Sequence, residues 1–363
     1  MIIGAQSPLS LGGLSSAPGC KGELVVGKSV FLVAGDRSLP QSNLTCFRSD
    51  DVGVTWQKLG LVLSDPVPRA DVGDGNLLRL PDGDLMVVYR QNHTSGEFQT
   101  RPEYGIRVSV SSDGGRTWKV HSTVARHQDD RAEISRGYWA PFLFRPRSGR
   151  VQCYYDDEDT PYRNGFHGHQ WVEMKTLDPK SGEWEKETTV SRAPLPTDLS
   201  RDGMATVVET SPGKLLCVLE SVSTSPPTVG DVRSVTSDDD GKTWSWQHGS
   251  RPVVYQALGP YHSFCPWLLP GPKRQIFCLF ATDEDNQDPH RAGTPANRLK
   301  LDIKAVRSED GGSTWSKPFL VYAGTHHNYL PSGAVLGPGR FLLSWLDFDL
   351  GSLFSPAILY QPR

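Results

Sequence analysis

Glu220 is the acidic residue of this sequence with the clearest chemical setting. It directly follows the apolar run Leu215–Leu219, and small residues flank it. A carboxyl group at the end of a buried strand points into a confined place, where it can act as a general acid, a general base or a nucleophile. Glycoside cleavage uses two such carboxyls beside the scissile bond. Glu220 is therefore the first candidate catalytic residue.

Further polar and aromatic side chains stand where the chain enters or leaves predicted strands. The candidates for contacting a substrate are Asp74, Arg90, Trp139, Asp157, Arg201 and Tyr261. Carboxylates and arginines hydrogen-bond hydroxyl groups, and tryptophan and tyrosine rings stack on sugar faces. This set suits a polyhydroxylated ligand. The alternative for each charged residue is an ordinary solvated strand end, or for Arg90 a surface salt bridge.

Metal and cofactor chemistry is not indicated by the sequence. His262, His326 and His327 lack a recognisable ligand spacing. The six cysteines are too sparse for a disulfide scaffold and are not spaced as metal ligands, and Cys20 with Cys46 is the one candidate disulfide. We predict no metal and no cofactor.

A repeated turn motif indicates the elements that would position these residues. The pattern Ser-x-Asp-x-Gly-x-Thr-Trp occurs at 49–56, 111–118, 237–244 and 308–315, and a weaker copy lies at 178–184. In such a turn the Asp accepts backbone N–H groups, the Gly supplies a positive φ and the Trp packs against the sheet. The copies recur every 60–70 residues, which suits one four-stranded propeller blade. We predict a structural role for these turns.

The pattern of strands and turns predicts one all-β domain over residues 1–363, a six-bladed β-propeller. The repeating units begin near residues 21, 76, 136, 201, 261 and 329, and we expect a strand from residues 2–20 to close the ring with the C-terminal strands. In each unit, residues just before the first strand and just after the second meet on one face. The candidate residues would therefore collect on that face, and the Trp-bearing turns would lie on the other.

Composition limits the classes of partner. The 36 glycines and 28 prolines suit a turn-rich β protein, and the net charge of -3 gives no reason to expect nucleic acid or an anionic membrane surface. There is no apolar run of about 18 residues, the length that spans a bilayer. Residues 1–8 lack the apolar core of a secretion signal. We expect a monomer.

The turn motifs resemble those of the sialidase superfamily of six-bladed propellers, and four further segments are similar to glycoside hydrolase family 93. These segments are 75–83, 138–143, 169–176 and 200–204. The resemblance implies a secreted, retaining exo-α-1,5-L-arabinanase that releases arabinobiose from the non-reducing end of arabinan. It also implies two catalytic glutamates and an assisting tyrosine, which fall on Glu220, position 140 and Tyr329.

Position 140 departs from that pattern because it holds Ala140 between Trp139 and Pro141. Alanine can act neither as acid nor as nucleophile. Three explanations stay open: an inactivating substitution, a relocated carboxyl with Asp157 or Asp74 taking over, or a different alignment of this motif. The alternative functions are an exo-α-sialidase, a polysaccharide lyase and a non-catalytic sugar-binding propeller. The Phe/Tyr-Arg-Ile-Pro motif of sialidases is absent near Arg37.

Overall fold

The fold is described by a computed structural model over residues 2–3, 7–9, 21–36, 41–67, 70–93, 102–128, 136–223, 229–285, 300–323, 328–347 and 352–360. These residues form antiparallel sheets, and all but the last of them are built from strands that follow one another along the chain. Within them, helical structure is limited to the short helix α1 (Asp159–Arg163) and a 3-10 turn at Ser245–His248. The predicted all-β propeller is confirmed.

The strands are numbered in chain order. The N-terminal strands are β1 (Ile2–Ile3) and β2 (Ser7–Leu9). The first blade has β3 (Glu23–Val26), β4 (Ser29–Asp36), β5 (Ser42–Ser49) and β6 (Gln57–Asp65). The second has β7 (Asp71–Arg79), β8 (Leu85–Asn92), β9 (Glu103–Ser111) and β10 (Lys119–Gln128). The third has β11 (Tyr138–Phe144), β12 (Gln152–Asp157), β13 (Trp171–Thr176) and β14 (Thr188–Ser191).

The remaining blades continue in the same order. The fourth has β15 (Ser200–Ser211), β16 (Lys214–Ser223), β17 (Gly230–Ser237) and β18 (Val253–Tyr255). The fifth has β19 (Ser263–Pro270), β20 (Ile276–Thr282), β21 (Asp302–Ser308) and β22 (Phe319–Tyr322). The C-terminal strands are β23 (Asn328–Gly337), β24 (Arg340–Asp347) and β25 (Ser352–Tyr360).

The last sheet differs from the others. It has five strands, because β1 and β2 both pair with β25, through Ile2↔Tyr360 and Ser7↔Ser355 among others. Regular four-stranded blades therefore number five, one fewer than predicted, and the sixth sheet is a composite of the two ends of the chain. The expected pairing of N-terminal with C-terminal strands is present. The pairing joins the two ends of the chain in one sheet, which closes the ring and leaves only short strand edges, as in other propellers.

The first strands surround the centre of the molecule. β3, β7, β11, β15, β19 and β23 each contact the first strand of the next sheet, and β23 contacts β3. The hydrophobic core lies between adjacent sheets. Val88 and Tyr104 of the second blade, for example, pack in one cluster with Tyr138 and Cys153 of the third. Alternate residues of a strand face opposite neighbours, so every blade shares a core on both sides.

The repeated turns have the predicted hydrogen bonds. Ser237 Oγ accepts the Gly241 N–H at 2.9 Å, and the Asp239 carboxylate accepts the N–H and hydroxyl of Thr243 at 2.9 and 2.7 Å. The Trp244 indole N–H donates to the Gly241 carbonyl at 3.1 Å. The residues at 49–56, 111–118 and 308–315 repeat the serine and aspartate contacts. The turns also join blades: Gln152 of the third blade donates to the Asp240 carbonyl at 2.8 Å.

The candidate disulfide is not formed. Cys46 is a free, fully buried thiol in the core between the first two blades, and Cys20 lies outside the described residues. Cys153, Cys217 and Cys278 are likewise free and buried, as the apolar strand patterns around them predict. Burial raises the pKa of the Cys46 thiol, so Cys46 is a small, neutral core side chain.

Candidate active site

Five of the first strands carry the same irregularity near their N-terminal end. Each has a register shift against its neighbour and one non-glycine residue with a positive φ. These residues are Asp74 (53°), Ala140 (43°), Met204 (54°), Cys265 (49°) and Leu330 (50°). The left-handed conformation is unfavourable for side chains other than glycine, and strained bulges of this kind concentrate at functional sites. We call these five positions the bulge ring.

The second strands place charged residues beside the bulge ring in only some of the blades. The residue just before each bulge pairs with Arg90, Asp156, Glu220, Ala281 or Leu346 in the second to the sixth sheet, respectively. Three consecutive blades therefore present charged side chains at equivalent positions, and the next two present apolar ones. The charge is concentrated on one side of the centre.

Glu220 lies at this ring, as its sequence setting predicts. Its carboxylate oxygen Oε2 accepts the backbone N–H of Cys265, the bulge residue of the next blade, at 2.8 Å. The side chain is half-buried. A carboxylate held by a backbone donor on a rigid strand has a defined direction, which is what nucleophilic or acid–base chemistry requires.

Asp156 occupies the same setting one blade earlier. Both of its oxygens lie 3.1 Å from the backbone N of Met204, the bulge residue of the fourth blade, and the residue is 2% exposed. Burial raises the pKa of Asp156 above its ordinary value, and the nearby charge of Glu220 acts in the same direction, whereas Lys21 and Arg201 oppose it. Asp156 is thus a buried carboxyl that favours its protonated form.

Lys21 is the cation of this group. It is 4% exposed, and its Nζ donates to the backbone carbonyl of Ala140. Burial lowers the pKa of Lys21, whereas the charges of Asp156 and Glu220 raise it. The opposite charges of Asp156 and Glu220 offset part of the cost of burying this amine. The residue stands before β3, where no sequence pattern marks it as part of a site.

Position 140 is in the bulge ring but supplies no functional group. Ala140 is 2% exposed and occupies the position that Asp74 holds in the second blade. Asp74 itself forms an ion pair with Arg90, which also contacts Asp71 at 2.9 Å. The Arg90 guanidinium lies 5.9 Å from the ring of Trp139. Asp74, Arg90 and Trp139 are therefore brought together, with the Asp74 carboxylate engaged by Arg90.

Trp139 and Arg201 are joined through Glu158. The Trp139 indole N–H donates to Glu158 Oε2 at 3.0 Å, and Arg201 forms an ion pair with Oε1 of the same carboxylate. Arg201 also donates to Gln170 Oε1 at 2.6 Å. The Arg201 side chain is 41% exposed, so it remains accessible to a ligand from solvent. Glu158 and Gln170 were not predicted as site residues, although Glu158 directly follows β12 and Gln170 lies in the 169–176 segment.

Asp157 requires a correction. Its oxygens accept the N–H groups of Asp159 and Thr160 at 2.7 and 2.9 Å and the Thr160 hydroxyl at 2.6 Å. The carboxylate therefore holds the start of α1 and does not face the bulge ring. Successive strand residues point to opposite faces, so the ring receives Asp156 and the helix receives Asp157. Asp157, predicted as a substrate-binding residue, is thus turned away from the ring, and the neighbouring Asp156 reaches it.

The two tyrosines differ in their relation to the ring. Tyr329 stands directly before the bulge residue Leu330, and its ring meets Phe264 edge-on at 6.4 Å. Phe264 directly precedes Cys265, whose N–H binds Glu220, so Tyr329 lies next to β19, the strand that donates this hydrogen bond. Tyr261 precedes β19 and is partly exposed. Among the described residues, Tyr261 has no hydrogen-bond contact with Glu220 or Asp156.

Two classes of feature are absent from the part of the chain that the structure describes. No group of three or more His, Cys, Asp or Glu side chains there has the arrangement of a metal site. No helix in those residues has the length and apolar character needed to cross a bilayer.

Comparisons with known proteins give structural neighbours only. No family model matches the sequence, and no curated protein matches it. An α-L-arabinanase of Penicillium chrysogenum, solved with arabinobiose, superposes with a TM-score of 0.69 at 16% identity over 99% of both chains. An α-L-arabinofuranosidase of Fusarium graminearum, solved with an iminosugar inhibitor, gives 0.68 at 16% identity over 99% of this chain and 98% of that one.

A sialidase is also among the neighbours. The Hadza microbial sialidase Hz136 has a TM-score of 0.60 at 16% identity, over 94% of this chain and 65% of its own. The structural neighbours are thus glycoside hydrolase family 93 enzymes and a sialidase, and this chain shares their sialidase-like propeller fold. At this identity the likeness establishes the fold, and the function has to be argued from the site.

Proposed function

We propose that this protein is a retaining, exo-acting glycoside hydrolase that releases arabinobiose from the non-reducing end of an arabinan-like polysaccharide. The observation that carries the proposal is the position of Glu220, a carboxyl held by the Cys265 N–H at the centre of the ring. The Penicillium arabinanase and, in a separate structure, the Fusarium arabinofuranosidase were solved with arabinobiose, which supports a pentose oligosaccharide as the ligand class. No cofactor takes part, and we expect a secreted monomer.

The reaction needs two carboxyls with different tasks. One attacks the anomeric carbon and forms a glycosyl ester as the glycosidic C–O bond breaks, and the other gives its proton to the leaving oxygen. In the second half, the same acid, now ionised, takes a proton from water, and the water oxygen replaces the enzyme carboxylate. Glu220 supplies one of the carboxyls. Ala140 cannot supply the other.

Binding of the sugar uses the charged side of the ring. Arg201 is accessible and fixed by Glu158 and Gln170, so it can donate to hydroxyl groups without losing its orientation. Trp139 offers a ring that is held by its own hydrogen bond to Glu158. Asp74 and Arg90 act as one ion pair in this proposal, and Tyr261 and Tyr329 supply aromatic surface on the opposite side.

A second candidate is a sugar-binding propeller without turnover. The observation that favours it is Ala140 at a bulge-ring position, with Lys21 bonded to its carbonyl. A sialidase is less favoured, because the arginines placed at the bulge ring are already paired: Arg90 with Asp74 and Arg201 with Glu158. A sialic acid carboxylate would have to compete with each of these partners.

The test is product chromatography on linear arabinan. We expect arabinobiose from the wild-type protein and a loss of kcat of about 10³-fold or more in Glu220→Gln, because a neutral amide cannot replace the carboxylate. The matched control is Glu209→Gln, on the neighbouring strand β15 at the opposite end of the same sheet, where the carboxylate accepts the Gly213 N–H. It should retain full activity.

The panel should include a fluorogenic sialoside and a uronic acid polysaccharide, whose unsaturated lyase product absorbs in the ultraviolet. Cleavage of either in place of arabinan would replace the proposed substrate. If neither the wild-type protein nor Ala140→Glu cleaves any glycan, while both bind sugar, the binding function is correct and the hydrolase proposal is wrong.

A further inference from the structure

The geometry points to Asp156 as the second catalytic carboxyl, acting as general acid and base opposite Glu220, in place of the group that position 140 lacks. This assignment rests on the proposed hydrolase function. In the third blade, Asp156 is the cross-strand partner of Trp139, the residue before Ala140. A carboxyl at Asp156 on β12 therefore lies in the same part of the bulge ring as a carboxyl at position 140 would.

Asp156 and Glu220 are held in the same way at successive blades. Each lies near the end of the second strand of its blade and accepts the N–H of the next blade's bulge residue, Met204 or Cys265. Two carboxyls fixed by equivalent backbone donors on neighbouring rigid strands keep a constant separation. A retaining glycosidase needs its two carboxyls about 5–5.5 Å apart, and rigid, equivalent supports are what hold such a pair in place.

Gly203 brings the two carboxyls toward each other. It is the cross-strand partner of Glu220, and a Cβ placed on it would lie 2.6 Å from Asp156 Oδ2 and 2.4 Å from Gln170 Nε2. The Asp156 carboxyl thus rests on the backbone position directly opposite Glu220. Any side chain at 203 would displace it.

The other acids considered for this task are engaged elsewhere. Asp74 is ion-paired with Arg90, and Asp157 holds the start of α1. Asp156 has backbone N–H contacts with Met204, and these leave lone pairs on a carboxyl that accepts up to four hydrogen bonds. Among the three, Asp156 alone combines a place beside Glu220 with spare hydrogen-bonding capacity.

The electrostatic surroundings suit a general acid. Burial raises the pKa of Asp156, the charge of Glu220 raises it further, and the cations Lys21 and Arg201 lower it. An acid that keeps its proton near neutral pH can protonate a leaving oxygen, as glycosidase acids do. Lys21 contacts the Ala140 carbonyl and sets the charge balance, so it is a positioning residue in this scheme.

In the glycosylation step a bond forms between a Glu220 oxygen and the anomeric carbon. The glycosidic C–O bond breaks, and the Asp156 proton goes to the departing sugar oxygen. In the second step Asp156 takes a proton from water, the water oxygen bonds to the anomeric carbon, and the Glu220 carboxylate leaves. Each residue returns to its initial protonation state, and one water is consumed.

The experiment compares two substrates and an external nucleophile. Asp156→Asn should lose about 10³-fold in kcat on arabinan, whose leaving oxygen needs a proton. With a nitrophenyl arabinobioside, the variant should form the glycosyl-enzyme nearly as fast as wild type, because a nitrophenolate leaves without a proton. Azide should restore its turnover and yield a glycosyl azide of retained configuration. Glu220→Gln should be inactive on both substrates, and Asp178→Asn, in the exposed weak turn, should behave as wild type.

Two further variants keep the assignment testable if Asp156→Asn folds poorly. Gly203→Ala leaves the carboxyl but displaces it, and should reproduce the loss on arabinan with the thermal midpoint measured alongside. Lys21→Met removes a cation that lowers the pKa of Asp156, so the alkaline limb of kcat against pH should move to higher pH. A purely structural Lys21 would leave that limb where it is.

The outcomes separate the two proposals. If the wild-type protein cleaves arabinan and Asp156→Asn does so equally well, or loses activity equally on both substrates with no azide product, the Asp156 assignment is wrong and the hydrolase function stands. If the wild-type protein and every variant fail on all glycans, both proposals are overturned.

Discussion

Glu173 is a buried carboxyl of the third blade that the proposed reaction does not use. It is fully shielded from solvent, its Oε1 accepts the Thr189 hydroxyl at 2.8 Å, and its Oε2 has no hydrogen-bond partner among the described residues. Burial raises the pKa of Glu173 well above its ordinary value, and the charge of Asp157 adds to this effect. The native state therefore holds this carboxyl in its neutral form.

This predicts a pH-dependent stability. A carboxyl whose pKa is raised by folding stabilises the native state below its unfolded pKa, and this contribution is lost as pH rises toward the folded pKa. Glu173→Gln keeps the acceptor for Thr189 without an ionisable group. Its gain in unfolding free energy over wild type should grow from pH 5 to pH 7.5 by up to about 1.4 kcal/mol per pH unit.

Chemical denaturation at three pH values measures this difference. Thr189→Val serves as a control, because it removes the hydroxyl contact but leaves the ionisable group in place. A stability difference between Glu173→Gln and wild type that stays constant with pH would mean that Glu173 is ionised in the folded protein.

The residue scale also marks the limit of sequence reasoning about the site. Glu220 was predicted correctly to reach the centre because a single acid ends a continuous apolar run. Asp156 and Asp157 end an apolar run as a pair, and only the register of β12 decides which faces the ring. Lys21 lies outside any strand pattern. Its place beside Asp156 depends on the first blade meeting the third.

At the scale of elements, the turn motif is the best-determined part of this protein. Ser237 combines two roles in one copy: it donates to Asp239 at 2.8 Å and accepts the buried Gly241 N–H at 2.9 Å. All of these contacts are between residues within a few positions of each other. A local pattern therefore specifies the turn without help from the rest of the chain.

Ser237→Ala should lower the unfolding free energy by about 1–2 kcal/mol, because it leaves a buried backbone N–H without a partner. The comparison is Ser181→Ala in the weak copy, where the hydroxyl is exposed and contacts Asp178 at 3.1 Å. That change should cost clearly less. Equal effects at the two positions in thermal or denaturant unfolding would contradict the structural ranking of the turns.

The bulges are elements that the sequence does not mark. Asp74, Ala140, Met204, Cys265 and Leu330 share no side-chain type, so the repeated strain at these positions is invisible as a motif. It becomes visible only when the cross-strand registers are compared from blade to blade. The strain is a property of how first strands bend around the centre.

At the scale of the whole molecule, Asn76 links three sheets. Its amide donates to the Lys21 carbonyl at 2.9 Å and its oxygen accepts the Leu143 N–H at 2.8 Å. Asn76 belongs to the second blade, Leu143 to the third, and Lys21 leads into the first. One buried side chain thus holds the segment that carries Lys21 against the ring.

Asn76→Ala should destabilise the protein by about 2–4 kcal/mol, since two buried backbone groups lose their partner. It should also lower kcat on arabinan, because Lys21 loses its anchor. Asn164→Ala, an exposed asparagine after α1 with one carbonyl contact, should change stability by less than about 0.5 kcal/mol. Wild-type stability of Asn76→Ala would contradict the linking role.

The sequence by itself determined the all-β propeller, the blade boundaries, the turn chemistry and the face on which polar residues gather, since each depends on local patterns of two to eight residues. Only the tertiary structure decided that two N-terminal strands, β1 and β2, join the last sheet and that β12 turns Asp156 and not Asp157 toward the bulge ring. It also decided that Lys21 bonds to Ala140 and that Gly203 seats the Asp156 carboxyl opposite Glu220. These features depend on contacts between segments far apart in the chain. Their geometry exists only after the sheets have closed around a common centre.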